Sequence, residues 1–152
     1  LHSLLLKNTF EALEAFNDEI REDLRTKGID NRGEARESLR VTQEKQGSKI
    51  KTASRGVFYF EFLDKGRAPG KFPPPSVIEE WTATKPVDIP AFLVGRKIAR
   101  EGTEIYKNRA KGVQLDEKRI RLKRFLQENA PKWAKQDLLI TIQGLNSKFK
   151  QK

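Results

Sequence analysis

Between Tyr59 and Pro75 the chain reads Tyr-Phe-Glu-Phe-Leu-Asp-Lys-Gly-Arg-Ala-Pro-Gly-Lys-Phe-Pro-Pro-Pro. An aromatic run stops at Gly66, and a loop with two glycines and four prolines follows. Proline fixes φ and removes an N–H donor, whereas glycine admits positive φ. Ser76 to Glu79 reads as a capping box, so a helix is expected to open directly behind the loop. A plain linker would be polar and flexible. This segment is stiff and carries Phe72 between apolar neighbours, so it is expected to be an ordered loop that fixes the angle between two halves of one domain. Gly66 and Gly70 are expected at positive φ, and the planar fork of Arg67 is expected to tie the loop to carbonyls or a carboxylate. Gly66, Arg67, Pro69, Gly70, Lys71 and Phe72 are the candidate interface residues, setting geometry and binding no small ligand.

With 152 residues, 36% hydrophobic and 34% charged, the chain is one domain whose core must be thin or completed by neighbouring subunits. It has no cysteine, which removes disulfides and thiolate metal sites. His2 is the one histidine, which removes most histidine catalysis and nearly all zinc chemistry. No apolar run approaches the roughly 18 residues of a membrane span, and Leu4-Leu5-Leu6 is too short for a signal sequence. No methionine is present, so at least an initiator residue is expected before Leu1. The net charge of +10 is uneven: residues 1–27 are net acidic, whereas residues 116–152 carry 10 basic against 4 acidic side chains. That end is the one expected to meet an acidic partner.

Leu6, Phe10, Leu13, Phe16, Ile20 and Leu24 recur every three or four residues, the apolar stripe of a helix. Lys27 and Gly28 supply its basic last turn and terminal glycine. The stripe is read as core, with oligomer contact as the second reading. Residues 34–39 predict a helical turn or the approach to a strand. Leu39 to Lys45 and Lys49 to Ala53 predict an antiparallel hairpin turning at Gly47-Ser48, polar on one face. Residues 57–63 fit a strand or a helix, and the ending Asp64-Lys65-Gly66 favours helix, with two or three aromatics buried.

A helix over 76–85 is expected to bury Val77, Ile78 and Trp81 and to end at Pro86. The next, from Asp88-Ile89-Pro90, carries Phe92, Leu93, Ile98, Ala99, Gly102, Ile105 and Tyr106 inward. Gly102 inside it suggests close approach of another backbone. A loop over 108–115 precedes a helix capped by Asp116, with Ile120, Leu122, Phe125 and Leu126 inward. Asn129-Ala130-Pro131 is expected to interrupt it. A last helix then places Trp133, Ala134, Leu138, Thr141, Leu145 and Phe149 on one stripe, with a strand over 138–142 as the weaker alternative. The fold class is α+β: a small antiparallel sheet packed against several helices, with a helix-rich C-terminal part. Residues 1–115 read as the core, and 116–152 as a basic helical extension of the same domain.

No catalytic constellation emerges. His2 alone cannot serve a Ser/His/Asp set. Gly66 to Lys71 lacks the spacing and the Ser/Thr of a phosphate loop. The acid pairs Glu79-Glu80 and Asp116-Glu117 read as first-turn helix acids. No cofactor or metal is expected. The strongest charge feature is Lys118, Arg119, Arg121, Lys123 and Arg124. It reads as phosphate contact, as docking on an acidic partner, or as a solvated helix face around core positions Ile120 and Leu122.

In order along the chain stand the amphipathic helix, Arg36-Glu37-Ser38-Leu39-Arg40-Val41, the hairpin and the aromatic helix. Then come Phe62 to Pro73, Ile78-Glu79-Glu80-Trp81, Ile98-Ala99-Arg100-Glu101-Gly102-Thr103 and two C-terminal helices. This succession resembles the HK97 gp10-like group of tailed-bacteriophage neck and tail-completion (head–tail joining) proteins. Its most specific parts are the Gly-Arg-x-Pro-Gly loop, the Ile-x-x-Trp and the Ile-Ala-x-x-Gly-Thr; the long basic C-terminus departs from the shorter members. The resemblance implies a virion structural protein without catalysis, assembled in the host bacterial cytoplasm. It would form a homo-oligomeric ring between head connector and tail. Its neighbours would be connector and tail proteins, with DNA passing through the ring and no membrane involved. The runner-up is a basic nucleic-acid-binding module without catalysis; a small hydrolase is the third class.

Overall fold

The computed structural model describes residues 3–85 and 88–149, with side chains as far as Gly144. His2, Pro86 and the side chains of Leu145 and Phe149 lie outside the described residues. The fold is α+β, a two-stranded antiparallel sheet among helices with a helical C-terminal part, as the sequence predicts. The chain forms two compact units, one of residues 1–19, 40–55 and 116–152, the other of 20–39 and 56–115.

Helix α1 spans Leu4–Thr26, and its stripe is core where it is most needed: Ile20 and Leu24 are buried. Gly28 follows at φ 61, the left-handed stop that only glycine takes cheaply. Helix α2 covers Glu34–Ser38. The Asp30 carboxylate satisfies its free amides, accepting from Arg36 N at 3.0 Å and Ala35 N at 3.4 Å. Strands β1 (Arg40–Gln46) and β2 (Lys49–Arg55) pair from Arg40 with Arg55 to Gln46 with Lys49. Gly47 turns the hairpin at φ 62, as the two-residue connection requires.

The ambiguous aromatic stretch is helical, α3 spanning Phe60–Lys65. Its aromatics are not buried as expected: Phe58 is 93% exposed and Phe62 half-exposed. Helix α4 is Pro75–Ala83 and ends before the predicted Lys85. Ser76 does not cap it. Pro75, whose φ already fits a helix and whose missing N–H costs nothing in the first turn, starts it one residue earlier behind Pro74. Only Ile78 of its apolar face is buried; Val77 and Trp81 are exposed.

Helix α5 (Ala91–Glu101) stops at Gly102, which lies past the helix end at φ 76, not inside it. The buried residue of α5 is Gly95, whereas Phe92 and Leu93, expected inward, are exposed. Gly95 is covered by the ring of Phe72. Short α6 (Glu104–Lys107) and a 3-10 turn at Arg109–Lys111 occupy what reads as helix end and loop.

Helix α7 runs unbroken over Leu115–Phe149, with Pro131 inside it. The expected interruption is absent because one proline removes one rung of the ladder while the turns on either side keep theirs. Asp116 is a first-turn acid and not the cap. Ile120, Phe125 and Leu138 are exposed, not inward. The helix alternative to a strand over 138–142 holds.

Burial differs sharply between the units. Ile20, Leu24, Ala35, Leu39, Ile78, Val113 and Leu115 are buried, and all belong to the unit of 20–39 and 56–115. In the other unit the buried side chains are Asn17 and Lys118.

Candidate functional site

The Gly66–Pro75 loop is clamped to the residues around Gly102, far along the chain but in the same unit. Gly66 ends α3 at φ 71, ψ −174, and Gly102 ends α5 at φ 76, ψ −178. Both sit in a region open to glycine almost alone. Between them runs a short reciprocal pairing. Arg67 N donates to Thr103 Oγ1 at 2.9 Å, and Thr103 N donates to Arg67 O at 2.9 Å. Thr103 Oγ1 also caps α6 by accepting from Tyr106 N at 3.4 Å. A Cβ on Gly66 would stand 2.3 Å from Tyr106 N, and one on Gly102 would stand 2.8 Å from Arg67 O. The close backbone approach expected at Gly102 is therefore real, and its partner is the loop.

Two further anchors hold the loop along α5. Gly70, at φ 135, donates its N–H to Ala99 O at 2.8 Å. The Phe72 ring lies against the Gly95 backbone, where a Cβ would meet Phe72 Cζ at 2.5 Å, and it stacks on Phe92 with centroids 5.7 Å apart. Pro73 is buried behind it. Arg67 sits over the Phe62 ring at 5.9 Å and donates through Nη2 to Lys71 O at 3.3 Å. The expected tie to a carbonyl is made inside the loop itself. Pro69 and Lys71 are exposed.

Beneath the loop, Asp64 is buried and accepts from Leu115 N at 2.8 Å, while Val113 N reaches Leu63 O at 3.3 Å. An ion network flanks Gly102 on both sides. Hydrogen bonds from Arg100 and then Lys107 hold Glu101 down to about 2. Lys111 holds Glu104 below the ordinary carboxylate range. The arrangement brings Gly66, Arg67, Gly70 and Phe72 together as one bracket. It converges no nucleophile, base or oxyanion donor set on a cleft; what it can do is fix direction between helices.

Thr103, Ala99 and Gly95 complete the bracket and are not among the loop residues that the sequence singles out. Thr103 carried a signal, as a helix-capping type behind a glycine. Gly95 carried a fainter one, a glycine within a strongly amphipathic helix.

The basic run lies in the other unit and is divided by helical phase. Lys118 is buried and pairs with Glu19 at 3.7 Å, and Arg121 also pairs with Glu19. These two line a groove of about 490 Å³ with Phe16, Phe125 and Trp133. Arg119 pairs with Asp116 at 3.6 Å. Lys123 and Arg124 lie on the exposed face around Ile120. The five cations therefore do not form one patch. Among the described residues, no group of His, Asp or Glu is placed to hold a metal ion, and no helix is long and apolar enough to cross a membrane. No family model, no curated protein and no solved structure matches this chain.

Proposed function

We propose that the chain is a non-catalytic structural protein of a tailed-phage virion, one subunit of a closed ring in the neck or tail-completion region that joins head connector to tail. The observation that carries this reading is the burial pattern of the unit of residues 1–19, 40–55 and 116–152. Its described residues include no fully buried apolar side chain, while Ile120, Phe125, Leu138, Leu139, Ile140 and Ile142 of α7 are all exposed by more than two fifths. Exposed apolar surface on that scale marks an interaction site. A copy of the same chain covering it through a different surface makes a heterologous contact, which closes into a ring when the rotation allows.

The bracket supports the reading from a second direction. The Gly-Arg-x-Pro-Gly and Ile-Ala-x-x-Gly-Thr segments, which carry the resemblance most specifically, interlock through Arg67 and Thr103. That gives them a geometric reason to occur together in an assembly protein.

The test is electron microscopy of the purified protein and of particles containing it, with the mass of the assembled species. Ring-shaped assemblies are expected, at a position between head and tail. A chain that stays monomeric and peripheral in the particle would sink the reading. A screen for hydrolase and nuclease turnover should be blank; activity that survives repurification and vanishes on mutating one acid overturns the non-catalytic part.

A further inference from the structure

The hairpin has two faces of opposite character. On one, Ser54 Oγ donates to Asn17 Oδ1 and Gln43 Nε2 donates to Leu6 O at 3.1 Å, so this face lies on α1. The register places Arg40 beside Arg55, Glu44 beside Lys51 and Gln46 beside Lys49 on the other face. Those six residues are all exposed, and the half-buried Thr42 and Ala53 stand between the Arg40/Arg55 and Glu44/Lys51 pairs on the same face. Four are cations and one is a carboxylate, and no aromatic or large aliphatic side chain interrupts them. Glu44 takes Arg55 at 2.6 Å. Arg40, Lys49 and Lys51 point into solvent. Like charges placed opposite each other on a ladder, as Arg40 and Arg55 are, weaken a hairpin unless something neutralises them.

We propose that this face binds the phosphate backbone of duplex DNA. Side chains two apart on a strand recur at about 6.8 Å. Lys49 and Lys51 are the pair of cations at that spacing on this face, with Arg40 at its other end. The face lacks the aromatic platforms that single strands stack upon and the apolar anchor that a lipid surface needs. Lysine and arginine without side chains placed for base edges make contacts that position and do not specify, so binding is independent of sequence. The net charge of +10 steers a polyanion towards it. On α7 three of the five cations are internally engaged, Lys118 by burial and Arg119 and Arg121 by pairing, which leaves Lys123 and Arg124 as the rival site that the experiment must separate. The site belongs to a single chain and stands independently of the ring reading.

The experiment is fluorescence anisotropy with a labelled duplex of arbitrary sequence, titrated with salt. The parent should bind, and Arg40→Gln/Lys49→Gln/Lys51→Gln should bind much more weakly. The parent's loss of affinity between about 50 and 200 mM salt should shrink by roughly 40-fold in that variant, since each neutralised phosphate contributes about 0.9 to the slope. Circular dichroism should be unchanged and Tm should not fall, because the three side chains are exposed and Arg40→Gln removes a like-charge pair. Arg40→Lys/Lys49→Arg/Lys51→Arg should retain binding, as should Lys123→Gln/Arg124→Gln on α7. A parent that ignores the duplex overturns the proposal. So does a hairpin variant that binds like the parent, an α7 variant that loses binding instead, or hairpin-dependent binding to anionic vesicles but not to DNA. A chain that binds duplex but stays monomeric and peripheral in the particle sustains this site and sinks the ring; a ring in the particle whose subunits ignore duplex does the reverse.

Discussion

At the scale of single residues, three glycines in the bracket separate two costs that are usually confounded. Gly70 stands at φ 135 with nothing within 4 Å of where a Cβ would be, so Gly70→Ala meets backbone strain alone, about 1–3 kcal/mol. Gly66 carries the same kind of strain and in addition would drive its Cβ to 2.3 Å from a backbone nitrogen, which cannot swing aside. Gly66→Ala should therefore cost clearly more than Gly70→Ala in denaturant unfolding, and Gly66→Val more still. Equal costs would mean that the α6 backbone yields, and that the bracket does not fix geometry. Gly95 is at ordinary φ, but an added Cβ meets the Phe72 ring, a side chain that can leave. The positive φ of Gly66 is legible because a glycine behind a basic last turn has a local reason. Gly95 is illegible by local rules, because its reason is a ring on a different element. Arg67 illustrates the same limit: its fork predicts a carbonyl partner, but no sequence rule says that the carbonyl is Lys71 O, four residues on in the same loop.

At the scale of elements, the hairpin and α1 are the most legible because their periodicities of two and 3.6 are sustained and their turns carry glycine. The least legible junctions are those where proline has two meanings. Pro75 starts a helix and displaces Ser76 from the cap; Pro131 sits inside α7 where it reads as a break. Pro131→Ala should restore a backbone hydrogen bond and raise stability by up to about 3 kcal/mol. A fall in Tm and helix content would show that the turn needs the proline. The N-terminus of α1 has a carboxylate from outside its own sequence neighbourhood. Asp137 Oδ1 accepts from Leu4 N at 2.8 Å, and Oδ2 accepts from Ser3 Oγ at 2.6 Å and Leu5 N at 3.1 Å. The Ser3 hydroxyl and then these amides hold its pKa below the ordinary 3.8. The folded form thus favours the charged carboxylate. The resulting stability is present above the ordinary value and is lost as pH falls through the depressed one. Glu101 behaves alike between 4.5 and about 2. Tm should fall on acidification through that window in the parent. In Asp137→Ala and Glu101→Gln the fall should be shallower, each variant starting lower at neutral pH and converging on the parent near pH 2. Parallel curves would show that neither carboxylate is linked to folding.

At the scale of the whole molecule, the composition foretells a thin core, and the structure shows where the thinness lies. The unit of residues 20–39 and 56–115 has a conventional apolar interior built on Ile20, Leu24, Ile78 and Val113. The other unit rests on a different kind of interior. Asn17 is fully buried with its Nδ2 unpartnered among the described residues, and Lys118 is buried on Glu19. Buried polar groups of this kind contribute little net stability and are costly when half satisfied. The apolar residues that would make an ordinary core are instead exposed on α7, where Leu138 is 60% and Ile142 44% exposed. Helical phase puts these two on one side, a turn apart. Replacing both by glutamate removes apolar surface that is largely in water, so a monomer's stability should change by no more than roughly 0.5 kcal/mol per site, as is typical of surface substitutions. In an assembly that covers them, the same change buries two unpaired charges, which is prohibitive. Leu138→Glu/Ile142→Glu should therefore leave the circular dichroism and melting of dilute protein intact while abolishing particle assembly in complementation. Assembly at parental levels would mean that α7 is not the covered surface. Unfolding of the dilute protein would mean that these side chains are held inside the subunit.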